Sequence, residues 1–152
     1  MKLAMAMFKT IYLIPLILTI VLGCLESTMD EKEARKVLHD FYNNKEPEAI
    51  SDYDLVKAGK PIVPYLIVEI QKKDMPRRRY AIGALGKIGD KRALPLLIKI
   101  LEDRSELIHF RADALESIWH IDRQLGEEYA RRYQGESKEI KRTIELLQKG
   151  II

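Results

Sequence analysis

The chain reads as all-α, a short α-solenoid of helical pairs with capping helices, and three observations predict this. Apolar residues recur at i, i+3, i+4 and i+7 in segment after segment, the spacing of one buried helix face. Glycine and proline fall mainly at intervals between those segments, where they punctuate helices. The pattern itself also repeats: Lys60, Leu66 and Ile67 return 31 residues later as Lys91, Leu97 and Ile98, and Pro64 returns as Pro95. A two-helix unit with a period of 31–33 residues cannot bury its own apolar face, so successive units must stack.

In chain order, Lys2 and Lys9 supply a basic N-terminal region ahead of an apolar run, Ile11 to Leu22, broken by Pro15 and Thr19. This is the layout of a secretory signal peptide, expected over residues 1–23. The run falls short of the roughly 20 apolar residues a spanning helix needs. Val21-Leu22-Gly23-Cys24 resembles a prokaryotic lipobox, with Val21 and Leu22 standing where that pattern prefers leucine and a small residue. The resemblance implies lipid attachment at Cys24, the one cysteine of the chain, with residues 24–29 as a tether. A lone cysteine has no disulfide use. The expected location is the extracytoplasmic side of a membrane, held by that lipid.

The solenoid is expected over residues 30–152. A first helix runs from the capping Asp30 to about Asn43, with Ala34, Val37, Leu38 and Phe41 on one face. Glu46-Pro47 ends it, since the residue before proline is pushed out of the helical region. Repeats follow at about 48–73, 76–104 and 108–134. Val63, Leu66, Ile67 and Ile70 map onto Leu94, Leu97, Ile98 and Leu101 as second helices (residues 61–72 and 91–102). Arg78, Ala81, Ile82, Leu85 and Ile88 map onto Arg111, Ala114, Leu115, Ile118 and Ile121 as first helices, expected from Pro76 to Ile88 and from Ile108 to about Asp122. Gly89-Asp90 breaks the middle pair, and Leu125-Gly126 is its expected counterpart in the third. Ser137 to Lys149, with Ile140, Ile144 and Leu147 aligned, closes the array as a cap spanning 137–149.

The stretch Arg78-x-x-Ala81-x-x-Ala84-Leu85-Gly86-x-Ile88-Gly89-Asp90-x-x-Ala93-Leu94-Pro95-x-Leu97 resembles a HEAT-like repeat of the phycobilisome-lyase type. The resemblance covers about residues 48–134 and weakens toward both ends, where outer repeats need a polar face. It implies a stacked helical scaffold. Lyases with this repeat attach pigments, but no residue specific to that reaction matches here. Deoxyhypusine hydroxylase also resembles a HEAT solenoid and needs His-Glu pairs for iron; this chain has no His-Glu dipeptide.

Charge bounds the partners. There are 26 basic and 23 acidic residues, for a net +3. Losing Lys2 and Lys9 with the signal leaves 24 against 23, so no nucleic-acid partner is expected. Gly83-x-x-Gly86-x-x-Gly89 has the wrong spacing for a nucleotide loop and reads as close helix packing plus a turn. His39, His109 and His120 lack metal-ligand spacing. No nucleophile with a base, no metal site and no cofactor is expected. The basic and aromatic residues Arg78, Arg79, Tyr80, Arg111, Arg131 and Arg132 are the candidate interaction surface. Arg78 and Arg111 also suit a structural role near the turn between repeats. Trp119, Tyr65, Tyr129 and Tyr133 are the other aromatic contacts of interest. The sequence-level reading is therefore a lipid-anchored, non-enzymatic scaffold for a protein partner, presenting its second helices. The alternative is a lyase-like enzyme or accessory factor that holds a substrate in the solenoid's concavity.

Overall fold

A computed structural model describes residues 29–43 and 52–152. The expected signal segment, Cys24 and most of the tether lie outside the described residues, as does the stretch 44–51 with Pro47. Helix α1 (Glu31–Asn43) starts where expected, with the Asp30 carboxylate accepting the Glu33 amide at 2.7 Å. That bond satisfies one of the amides a helix start leaves over. The face carrying Ala34, Leu38 and Phe41 is buried.

Among the described residues the order continues as α2 (Tyr53–Ala58), α3 (Val63–Ile70), α4 (Arg78–Ile88), α5 (Leu94–Glu102), α6 (Ile108–Ile121), α7 (Arg123–Tyr133) and α8 (Lys138–Gln148). Single 3₁₀ turns at Lys60–Ile62 and Lys91–Ala93 lead into α3 and α5. Pro64 and Pro95 sit in the first turns of those helices, where a missing N–H costs nothing. The helices α2, α4, α6 and α8 pack in sequence as one layer, and the second helices lie on it, α3 against α4 and both α5 and α7 against α6. Helix α6 is the hub, packed against α4, α5, α7 and α8, while α1 covers α2 at the opposite end. This is the all-α solenoid of helical pairs with capping helices that the periodicity predicts.

Two boundaries differ from expectation. Helix α4 begins at Arg78 rather than Pro76, because Arg77 takes a left-handed backbone conformation with φ of 58°. Its guanidinium lies 5.3 Å from the Phe41 ring and 5.5 Å from the Tyr80 ring, contacts that help offset an unfavourable backbone. The third pair is broken at Asp122, not at Leu125-Gly126. Asp122 is extended and its carboxylate caps the Leu125 amide at 3.2 Å, which leaves Gly126 inside α7. Two other expected boundaries hold: Gly89 turns with φ of 72°, and the Ser137 hydroxyl accepts the Ile140 amide at 3.1 Å to open α8.

The core runs the length of the solenoid, from Phe41 and Leu55 through Leu66, Leu85, Leu97 and Leu115 to Ile140. Trp119 and Tyr133 are buried in it, and Tyr65, Tyr80 and Tyr129 pack against it. The aromatics are thus mostly structural. Among the described residues, no helix is long and apolar enough to cross a membrane.

Candidate functional site

Arg78 and Arg111 open equivalent helices and make equivalent bonds. Arg78 Nε donates to the Ile70 carbonyl at 2.8 Å and its Nη2 donates to Glu106 at 2.9 Å. Arg111 Nε donates to the Leu101 carbonyl at 2.8 Å and its Nη2 donates to Glu136 at 2.9 Å. Each guanidinium therefore binds the end of the preceding second helix and a carboxylate from the loop before the next first helix. Both arginines are buried, at 5% and 4% exposure, so they are corrected from interaction surface to internal clamp. Although burial opposes ionisation, the Arg78 guanidinium holds the Glu106 carboxyl below its ordinary range.

The other candidates divide between the layers. Arg131 and Arg132 stand exposed on α7, with Arg132 bonded to Glu102 at 3.2 Å and facing the Tyr133 ring at 5.4 Å. Arg79 and Tyr80 line a groove of 520 Å³ on the first-helix layer, together with Asp52, Gly83, Lys87, Asp113 and Glu116. The sequence reading named Arg79 and Tyr80 but not Lys87 or the carboxylates that share this groove with them. The groove lies on the first helices, whereas the second helices were the expected face.

The groove is built from three successive elements. Asp52 precedes α2, Arg79, Gly83 and Lys87 lie along one face of α4, and Asp113 and Glu116 lie at i, i+3 on α6. Arg79 grips Asp113 through Nε at 2.8 Å and Nη2 at 3.2 Å. Lys87 reaches Asp52 at 2.7 Å, and His120 stands 3.9 Å from Glu116. Burial pushes the Asp113 carboxyl up despite its bond to Arg79. Burial also raises Glu116, and the neighbouring charge of Asp113 raises it further. Two carboxyls raised by burial, one gripped by Arg79, stand in one groove with Lys87, an arrangement of the kind found at functional sites.

Gly83 leaves this groove open. A Cβ built there meets nothing within 4 Å, so packing does not require a glycine. A glycine inside a helix costs about 0.8–1 kcal/mol relative to alanine, and here that cost accompanies an unfilled floor. Gly86, one turn on, is the reverse case: a Cβ there would stand 2.8 Å from the Ser117 backbone. Aligning the repeats at an offset of 33 would have drawn attention to the site, because Gly83 then falls on Glu116. An absent side chain on one helix lies in register with a carboxylate on the next.

Residues 77–103 match the PBS lyase HEAT-like repeat, which are the first and second helices of the middle pair, α4 and α5. The phycocyanobilin lyase subunit beta of Nostoc sp. (strain PCC 7120) is 40% identical over 57 residues, which is 38% of this chain and 28% of that protein. The matched stretch thus spans little more than a quarter of that relative's length. No solved structure matches. The similarity supports the HEAT-like repeat reading, and it overturns the expectation of a non-enzyme, because this relative is a lyase subunit.

Proposed function

We propose that this chain is a lyase-related helical scaffold that holds its substrate in the groove over Gly83. The observation that carries the reading is the meeting of Asp113 and Glu116 with Arg79 and Lys87 in a single groove. Lyase chemistry makes or breaks a bond by addition or elimination, which requires a proton taken at one atom and delivered at another. Glu116, raised by burial and by its acidic neighbour, is the proposed acid. Asp113, bonded on two sides to Arg79, is the proposed base. Similarity to a phycocyanobilin lyase subunit makes phycocyanobilin the first probe.

Titrating phycocyanobilin into the full chain is expected to change its absorption in a saturable way. Glu116→Gln should weaken that binding about tenfold, a loss of roughly 1.4 kcal/mol. Gly83→Leu, which fills the floor, should abolish it, while Gly83→Ala should raise the unfolding free energy by up to about 1 kcal/mol. A spectrum that stays unchanged throughout the titration overturns the reading. So does equal binding by the wild type and Gly83→Leu.

We further propose that the scaffold is exported and tethered by lipid at Cys24, a reading supported by the lipobox-like Val21-Leu22-Gly23-Cys24. Mass spectrometry of the membrane fraction should find a peptide beginning at acylated Cys24, absent in Cys24→Ala. An unmodified Met1 start in a soluble fraction would sink this proposal.

A further inference from the structure

A second surface lies at the far end of the solenoid, between α7 and α8. A cavity of 690 Å³ there is lined by Gln134, Ser137, Lys138, Lys141 and Ile144 among others. A neighbouring cavity of 310 Å³ is lined by Trp119, Arg123, Ala130 and Arg131 among others. Gln134 and Gln148 border both, so the two cavities adjoin and are treated as one groove.

Its charge is net positive. Arg123, Glu127 and Arg131 line it from α7, and Lys138, Lys141 and Glu145 line it from α8, an excess of two positive charges. Arg123 is taken up by Glu127 at 2.8 Å. Arg131, Lys138 and Lys141 make no ion pair among the described residues, which leaves three cations of this lining available to a partner. Nor does helix stability explain Lys138 and Lys141. They stand in the first turns of α8, where the helix dipole favours anions over cations.

We propose that this groove docks an extended acidic segment of a partner protein. The lysines and Arg131 meet its carboxylates. The amides of Gln134 and Gln148 can both donate and accept, which suits a peptide backbone. Ala130 and Ile144 supply the apolar part of the lining. Glu127, paired with Arg123, and Glu145 interrupt the positive charge, so a segment with spaced carboxylates fits the groove better than a phosphate backbone charged at every nucleotide. The site is separate from the groove over Gly83 and does not depend on the lyase-related reading.

Trp119 is the chain's single tryptophan and borders the groove, with the Arg123 guanidinium 4.1 Å from its ring. Its fluorescence therefore reports occupancy. The full chain is titrated with an octapeptide in which glutamate alternates with serine, and with a lysine-for-glutamate control. The glutamate peptide should give a saturable emission change that weakens as salt rises, and the control should give none. Lys138→Glu with Lys141→Glu should weaken binding at least about tenfold, while circular dichroism shows the fold unchanged. Three results would overturn the proposal: no saturable change, equal affinity in the double variant, or an octauridylate binding as tightly as the peptide.

Discussion

Arg78→Met is expected to lower the unfolding free energy by about 3–5 kcal/mol, the cost of leaving one partner of a buried ion pair alone. That is a large share of the roughly 5–15 kcal/mol by which such domains are stable. The substitution keeps much of the side-chain volume, so the loss comes from the polar groups left behind. Glu106 would be a buried carboxylate without its bonded cation, left with only the longer-range charge of Lys73, and the Ile70 carbonyl would lose its donor. Urea unfolding followed by circular dichroism measures the effect. Adding Glu106→Leu should recover most of it, since replacing both partners removes the stranded charge. Acid supplies an independent check. The Glu106 carboxyl is held below its ordinary 4.5 in the folded chain, so its contribution is complete above that value and fades as pH falls through the lowered one. The double variant should lose that component of acid sensitivity. A single variant within about 1 kcal/mol of wild type would mean the clamp carries little.

Gly126→Ala is expected to destabilise by about 1–3 kcal/mol, even though alanine is the better helix former by about 1 kcal/mol. A Cβ at Gly126 would stand 2.5 Å from the Trp119 Cα and 3.0 Å from its backbone nitrogen. Those are backbone atoms that cannot swing aside, so α7 must move off α6. Gly86→Ala should act the same way on the opposite flank of α6, against Ser117, whose hydroxyl donates to the Ile82 carbonyl at 3.0 Å. Thermal unfolding of the Gly86, Gly126 and Gly83 alanine variants should place the first two below wild type and the third above it. A Gly126→Ala protein as stable as wild type would show that the two helices have room to part.

Much of the architecture was legible because it depends on local spacing. The faces Val63-Leu66-Ile70 and Leu94-Leu97-Leu101, the prolines that open them and the Gly89 turn all follow from residues within one or two turns of one another. The equivalence of Arg78 and Arg111 was visible too, though their bonds were not, since Glu106 and Glu136 lie 28 and 25 residues on, in the loops after α5 and α7. Gly126 was misread because a glycine after an apolar run resembles a stop. Its actual reason, the close passage of Trp119, is a tertiary contact. The groove stayed hidden for the same cause. Asp113 and Glu116 look like ordinary solvated charges on α6, and Gly83 looked like another packing glycine beside Gly86. Only the lateral stacking of α4 on α6 brings those three together with Arg79 and Lys87.

The clamps also have a direction. Ile70 waits on Arg78 and Arg78 waits on Glu106, just as Leu101 waits on Arg111 and Arg111 on Glu136. Each donor reaches back to a carbonyl already made and forward to a carboxylate not yet made. During synthesis from the N-terminus, a nascent repeat therefore emerges with a cation destined for burial and no counterion until about 25–28 further residues have appeared. Its settling is tied to the arrival of its successor, so the array closes in order behind the growing end.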